Sequence, residues 1–189
     1  KGNRTKGSAG SFSMLTLVIG GARSGKSRFA VSLCPPESNV TYIATARESD
    51  AEMQARIARH RRERPSHWTT FEAFGSLASA VARHVRAADI VLVDCLTLWL
   101  GNLCWERQDS PFDDLERTAS KEIADLARAA EGGRVIVVTN EVGCSVVPDS
   151  PLGRYFQDLQ GLVNQEAARH ADVVYQVIAG ISIMLKPRS

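Results

Sequence analysis

Short apolar runs alternate along the chain with longer amphipathic segments. The runs are rich in β-branched residues and predict buried strands at residues 15–19, 40–45, 68–72, 88–94, 134–139 and 172–177. A last run at 181–186 follows Ala179-Gly180 and predicts a hairpin with the preceding strand. Because helical patterns separate the other strands, we expect an α/β fold with a mainly parallel sheet, helices on its faces and an antiparallel hairpin at its C-terminal edge.

The intervening segments carry apolar residues at helical spacing. Helices are predicted at 27–33, 76–87, 96–105, 113–130 and 154–170. In the 113–130 helix the expected buried side chains are Leu115, Ala119, Ile123, Leu126 and Ala130. In the 154–170 helix they are Phe156, Leu159, Leu162 and Val163.

One further predicted helix precedes Pro65. Ser49 or Asp50 is its expected N-cap, and Met53 and Ile57 form its apolar stripe. A second face, which we expect to be distinct from that stripe, carries polar side chains four residues apart: Glu52, Arg56 and His60. Taken by itself, such a face is most simply interpreted as a solvated surface.

A glycine-rich loop follows the first strand directly. Residues 20–27 match the phosphate-loop pattern of Gly, four residues, then Gly-Lys-Ser. Glycines let successive N–H groups turn toward phosphate oxygens, and the next helix adds its positive N-terminus. The strand and helix on either side favour a nucleoside triphosphate site over a glycine-rich turn that binds nothing. Its residues are Gly20, Gly21, Ala22, Arg23, Ser24, Gly25, Lys26 and Ser27.

Candidate metal ligands lie in this loop and at the end of a later strand. The Ser27 hydroxyl is placed to bind Mg²⁺ while Lys26 reaches the β and γ phosphates. An apolar strand that ends in Asp94 has the form of a Walker B element. We therefore expect Asp94 to hold Mg²⁺ from a strand neighbouring the loop, rather than merely to cap a turn. The end of the 40–45 strand should also lie beside the loop.

The composition of the chain limits the possible partners and the cellular setting. The chain has 189 residues, 44% hydrophobic, with a formal net charge of +2, which gives no electrostatic reason for a nucleic-acid or membrane partner. Residues 1–13 are Gly-, Ser- and Lys/Arg-rich and predict a disordered tail, with 14–189 forming one catalytic domain. The four cysteines lack metal-ligand spacing and favour a reduced, cytoplasmic setting. Cys95 and Cys144 remain alternative catalytic thiols, although a buried small side chain is the simpler interpretation.

Several motifs coincide with one family. The first half carries Gly-Gly-Ala-Arg-Ser-Gly-Lys-Ser-Arg at 20–28, Tyr-Ile-Ala-Thr at 42–45, and a block at 50–72 that contains Arg-His-Arg around His60. The second half carries Asp-Cys-Leu-Thr-Leu-Trp-Leu at 94–100 and Thr-Asn-Glu-Val-Gly at 139–143. Together they resemble the bifunctional adenosylcobinamide kinase / adenosylcobinamide-phosphate guanylyltransferase family of cobalamin synthesis, over nearly all of residues 14–186.

The resemblance implies a P-loop NTPase fold and two reactions. Such an enzyme first phosphorylates the aminopropanol hydroxyl of adenosylcobinamide with ATP or GTP. It then transfers GMP from GTP to adenosylcobinamide phosphate through a guanylyl-histidine, releasing pyrophosphate. The resemblance also implies a homo-oligomer, because members of this family form homotrimers. The alternatives are another P-loop kinase of a small metabolite and a nucleotide-dependent switch without an acceptor.

Carried over by position, the resemblance makes His60 the nucleophile beside a catalytic Lys26. Some relatives have two adjacent histidines, whereas this chain has Arg59-His60, so only His60 can serve. A neutral imidazole is a competent nucleophile near neutral pH. Besides the loop, the resemblance implies nucleotide binding at Ala44, Thr45, Ala46, Arg61, Arg62, Glu63, Glu72 and Asp94.

Overall fold

The computed structural model describes residues 13–48, 50–62 and 64–188; Ser49, Glu63, Ser189 and all of the predicted tail but Ser13 lie outside them. The strands are β1 (Met14–Gly20), β2 (Val40–Ala44), β3 (Thr69–Glu72), β4 (Ile90–Asp94), β5 (Arg134–Asn140), β6 (Val173–Ile178) and β7 (Ile181–Lys186). They form one sheet in the order β3-β2-β4-β5-β1-β6-β7.

The helices are α1 (Lys26–Ser32), α2 (Ala51–Arg62), α3 (Leu77–His84), α4 (Leu96–Glu106), α5 (Phe112–Ala130) and α6 (Pro151–His170). The last begins three residues before the predicted position. Ser150 caps it by accepting a hydrogen bond from Gly153 N at 3.1 Å, and Pro151 occupies the first turn, where its missing N–H costs nothing. The strong cap and the proline therefore fix the start of α6.

All strand pairs are parallel except β6 with β7, which pair antiparallel. The turn between these two strands places Ala179 at φ 51° and Gly180 at φ 83°, the left-handed backbone of a tight hairpin. The predicted α/β class with an antiparallel C-terminal edge is thus confirmed.

The order of the strands corrects two predictions. β5 lies between β1 and β4, so Asp94 is not on a strand neighbouring the phosphate loop. Both β4 and β5 separate the end of β2 from β1, so that end is not directly beside the loop either. The sequence of a buried apolar strand does not indicate which strand it pairs with, so the order of the strands could not be predicted.

The core has two layers, one on each face of the sheet. The larger layer packs α3 to α6 against one face, and the five predicted side chains of α5 are all buried in it. In α6, however, Leu162 is 40% exposed, contrary to prediction. Gln160 and Asn164 are buried instead, because they hydrogen-bond to Thr139 of β5.

The smaller layer contains α1 and covers less of the sheet. Ala30 of α1 packs there with Val18 and Tyr42, whereas α2, after β2, buries none of its described side chains. An open cleft therefore separates α2 from the sheet and α1. Within the described part of the chain, no helix is both long and apolar enough to span a membrane.

Candidate active site

The phosphate loop joins β1 to α1, and close packing dictates its glycines. A Cβ on Gly20 would lie 2.5 Å from Val177 O of β6, which is too close for any larger residue. Gly25 has φ 94° at the N-cap of α1, and a Cβ there would lie 3.3 Å from Gly180 Cα in the β6–β7 turn. Gly180 N donates to Ser24 O at 2.8 Å. The edge hairpin therefore braces the loop.

Lys26 is 8% exposed and points back along the loop. Its Nζ donates to Gly21 O at 3.1 Å. Burial lowers the pKa of the Lys26 ammonium, and the Asp94 carboxylate acts in the opposite direction. A phosphate bound in the loop would supply the negative charge that this buried ammonium lacks.

Tyr42, on β2, is hydrogen-bonded to Asp94, the candidate metal ligand. Its hydroxyl donates to Asp94 Oδ2 at 2.6 Å, and burial, together with the Asp94 charge, raises the pKa of the phenol, so it stays a donor. The Arg64 guanidinium lies 3.3 Å from the centre of the Tyr42 ring. Asp94 Oδ1 accepts no hydrogen bond from any residue in the described ranges. One carboxylate oxygen is thus anchored and the other is free for a ligand.

The cleft between α2 and the phosphate loop has two adjoining chambers. The large chamber has a volume of about 520 Å³ and is bordered by the loop, α1 and α2. The small chamber, of about 150 Å³, is bordered by α2 and the ends of β2, β4 and β5. Six residues line both: Lys26, Ser27, Tyr42, Arg56, His60 and Arg64. His60 therefore lies on the wall that the two chambers share, together with the loop lysine.

The structure brings most of the predicted nucleotide-binding residues to this cleft. Arg23, Ser24 and Gly25 line the large chamber, whereas Gly20, Gly21 and Ala22 are not among its lining residues. The remaining predicted residues that line the small chamber are Ala44, Ala46, Arg61, Glu72 and Asp94. Arg61 and Glu72 form an ion pair with an N···O distance of 2.7 Å.

Two of the remaining predicted residues line neither chamber. Thr45 is fully buried, and its hydroxyl both donates to Cys95 O and accepts from Cys95 N, at 2.8 Å each, so it ties β2 to β4. Arg62 is exposed and lines neither chamber. Glu63 is outside the described residues.

The predicted apolar stripe of α2 and two residues of its predicted polar face, Arg56 and His60, form one surface, whereas Glu52 lines neither chamber. Met53 and Ile57 line the small chamber beside Arg56 and His60 instead of packing into the core. Positions 53, 56, 57 and 60 follow the i, i+3, i+4, i+7 stripe of a single helix face, so the prediction of separate faces was wrong. Asp50 acts as a cap, since its Oδ1 accepts from Met53 N at 2.8 Å.

Sequence reasoning did not assign site roles to Tyr42 or Arg64, and it indicated Asn140 only as a polar residue at the strand end where open α/β sheets bind ligands. Asn140 ends β5 and lines the small chamber, with its carbonyl held by Asn164 Nδ2 at 3.0 Å. A usable signal existed for Tyr42, because strand alternation puts it on the same side of β2 as Ala44. No pattern pointed to Arg64, whose position depends on the loop after α2.

Neither a catalytic cysteine nor a metal centre built from protein ligands alone is supported by the described residues. Cys95 is 4% exposed, and burial raises its pKa to about 12, which favours a structural thiol. Cys144 is exposed and lines neither chamber. The described residues contain no group of three or more His, Cys, Asp or Glu side chains able to hold a metal ion by themselves.

Comparison with known proteins identifies the family. The model of the cobinamide kinase / cobinamide phosphate guanyltransferase family matches residues 16–185. The bifunctional adenosylcobalamin biosynthesis protein CobU of Escherichia coli K12 is 39% identical over 181 residues, which cover 92% of this chain and 100% of that protein. Its Salmonella typhimurium LT2 counterpart is 40% identical with the same coverage. CobP of Pseudomonas aeruginosa PAO1 is 42% identical over 175 residues, covering 92% of this chain and 98% of CobP.

The match extends over both halves of the chain, from the phosphate loop to β7, and the relatives are matched along almost their whole length. It agrees with the P-loop type of sheet and with the resemblance that the motifs indicated. The chain therefore belongs to the cobinamide kinase / cobinamide phosphate guanyltransferase family, whose members are bifunctional enzymes of adenosylcobalamin biosynthesis.

Proposed function

We propose that this enzyme phosphorylates adenosylcobinamide with ATP or GTP and then transfers GMP to the product through a guanylyl-histidine at His60. The observation that carries this proposal is the position of His60 on the wall shared by both chambers, which Lys26 of the phosphate loop also lines. A switch module would need no nucleophile at that place, and a simple kinase would need none either.

The nucleotide triphosphate binds with its β and γ phosphates in the loop and its nucleoside end in the small chamber. Lys26 then exchanges the Gly21 carbonyl for phosphate oxygens. Ser27 and Asp94 would hold Mg²⁺, since both line the small chamber and Asp94 Oδ1 accepts no hydrogen bond from the described residues. One carboxylate with phosphate oxygens and water is the usual environment of this ion. When bound, Mg²⁺ neutralises charge that develops on the phosphates.

In the kinase step, the chain's own groups position and stabilise. The loop N–H groups and Lys26 hold the γ phosphoryl group while the substrate hydroxyl attacks in line. The bond from the γ phosphorus to the β–γ bridging oxygen breaks, the nucleoside diphosphate leaves with that electron pair, and the hydroxyl proton passes to solvent. Tyr42 keeps Asp94 in one orientation through its 2.6 Å hydrogen bond. These groups are in place before the reaction, so little reorganisation is needed.

In the guanylyl step, a lone pair on the His60 imidazole forms the N–P bond to the α phosphorus. The bond from that phosphorus to the bridging oxygen breaks, and pyrophosphate leaves with the electron pair. An oxygen of adenosylcobinamide phosphate then attacks the same phosphorus, and the electron pair of the N–P bond returns to neutral His60. Lys26 stabilises the charge on the leaving pyrophosphate.

We further propose where the enzyme acts and how it assembles. Residues 14–189 act as one catalytic domain in the cytoplasm, without nucleic acid or membrane insertion, and as a homo-oligomer, a trimer by resemblance. Support for assembly comes from β7, where Ile181, Ile183, Met184 and Leu185 are each about half exposed or more. Apolar groups on an edge strand commonly mark a contact surface.

The test is labelling with GTP that carries radioactive phosphorus at the α position. We expect an acid-labile, alkali-stable protein adduct on the wild type and no adduct on His60→Ala. His67→Ala is the matched control, because His67 lines neither chamber, and it should label normally. Lys26→Ala should impair labelling and acceptor phosphorylation alike, whereas His60→Ala should retain phosphorylation.

Undiminished label on His60→Ala, or none on the wild type, would contradict the covalent mechanism. Phosphorylation of adenosylcobinamide without any adduct would indicate a simple kinase. Nucleotide binding with slow hydrolysis and no acceptor product would indicate a switch module.

A further inference from the structure

The two chambers differ in charge. The large chamber has three arginines that the small chamber lacks, Arg23, Arg28 and Arg59, and no Asp or Glu among its lining residues. The small chamber includes Glu72 and Asp94. Within the described ranges, none of these three arginines forms a hydrogen bond or an ion pair. Of the other arginines that line the chambers, Arg61 forms an ion pair with Glu72 and Arg64 donates to Thr70 Oγ1.

The proposed nucleotide accounts for only part of this charge. Mg²⁺, Lys26 and the loop's own Arg23 would match the charge of a bound triphosphate, and Arg56 would match Asp94, which leaves Arg28 and Arg59 without a ligand. Like charges gathered in a concave site repel one another, and their field attracts an anion. Guanidinium groups are suited to phosphate, because they bind two of its oxygens at once.

The in-line geometry of the two displacements at the α phosphorus indicates which anion binds there. His60 attacks the α phosphorus on the side opposite to the departing pyrophosphate. The second displacement must in turn come from the side opposite to His60. The incoming phosphate therefore enters where pyrophosphate left, on the side of the phosphate loop. Ser24 and Gly25 of that loop border the large chamber and not the small one.

We propose that Arg28 and Arg59 bind the phosphate monoester of the acceptor in the large chamber during the second half-reaction. An acceptor oxygen held there forms the P–O bond to the guanylyl phosphorus while the P–N bond breaks and its electron pair returns to His60. This subsite rests on the guanylyl-histidine proposed above.

The experiment separates the two half-reactions. Arg28→Gln and Arg59→Gln remove one charge each while keeping most of the side-chain length. Label uptake from α-labelled GTP without acceptor reports the first half-reaction. Release of that label by increasing adenosylcobinamide phosphate reports the second. Arg86→Gln is the control, because Arg86 is exposed, lines neither chamber and has no ion pair in the described part of the chain.

For each variant we expect the acceptor concentration that gives half-maximal release to rise about tenfold, in keeping with loss of one charged hydrogen-bonding group. The rate of label uptake should change far less, and Arg86→Gln should match the wild type in both assays. Lysine at position 28 or 59 should restore part of the loss.

Two results would overturn the subsite. One is a half-release concentration unchanged in both glutamine variants, and the other is uptake and release falling by the same factor. A wild type that never takes up label is a different outcome, because it refutes the guanylyl-histidine itself.

Discussion

At the scale of single residues, burial separates the cysteines that the sequence could not rank. Cys95 and Cys34 are 4% and 6% exposed, and burial raises their pKa values to about 12 and about 11. A raised thiol pKa means that the protonated form persists until the pH approaches that value. Since only the thiolate is nucleophilic, both groups are inert at neutral pH. Cys144 is exposed.

We therefore predict that iodoacetamide at pH 8 modifies Cys144 at least about a hundredfold faster than Cys95 or Cys34 in the folded protein. Peptide mass spectrometry after timed quenching measures the three rates. Cys144→Ser should abolish the fast modification, and unfolding in urea should equalise the remaining sites. Rapid modification of Cys95 in the native protein would contradict the burial argument.

At the scale of elements, the helix that carries His60 is the least anchored. α2 buries none of its described side chains, whereas α5 buries five. Its polar contacts include the Asp50 cap at its start and the Arg61–Glu72 ion pair near its end, and its apolar residues Met53 and Ile57 are only half-buried. Exposed ion pairs contribute little, typically about 0–1 kcal/mol. Local opening of α2 should accordingly cost much less free energy than opening of α5.

Hydrogen exchange measures this difference. Backbone amides in the middle of α2 should exchange roughly a hundredfold or more faster than those in the middle of α5. Adding GTP should slow exchange in α2, which lines the proposed nucleotide site, and leave α5 unchanged. Equal protection of the two helices in the absence of nucleotide would show that α2 is held by contacts other than those described.

At the scale of the whole molecule, the two layers have different roles. The larger layer packs four helices on one face of the sheet and contains most of the buried apolar side chains. The smaller layer contains α1, and the face it covers adjoins the cleft. Stability is therefore concentrated on the face away from the phosphate loop. Even within the larger layer, one helix has a buried and an exposed side: in α6, Leu159 is 1% exposed and Leu162 is 40% exposed.

Ile123, 1% exposed in α5, tests this distribution. Ile123→Ala should lower the free energy of unfolding by about 2–5 kcal/mol, because it removes buried methyl groups and leaves a cavity. Leu162→Ala is the matched control on α6 and should cost less than about 1 kcal/mol, as is usual for exposed sites. Urea denaturation at equilibrium measures both. A larger loss for Leu162→Ala would mean that its exposed face is covered by another subunit.

Much of the fold was predictable because it depends on local pattern. The strands, the five buried positions of α5, the phosphate loop and the C-terminal hairpin follow from alternation, helical spacing and glycine placement. The buried side of α6 was not predictable, because Gln160 and Asn164 are polar and their burial depends on Thr139 of a distant strand. The Tyr42–Asp94 hydrogen bond likewise joins two strands 52 positions apart in sequence.

The sequence by itself determined the α/β class, the triphosphate loop and, through its motifs, the family. Those features are written in contiguous residues whose spacing the backbone imposes. Only the tertiary structure decided the order of the strands and the single surface formed by Met53, Arg56, Ile57 and His60. It also decided the division of the cleft into one chamber with acidic residues and one with arginines and no acidic residue. These features arise from packing between distant segments, where the free energy depends on which faces meet and not on any local spacing.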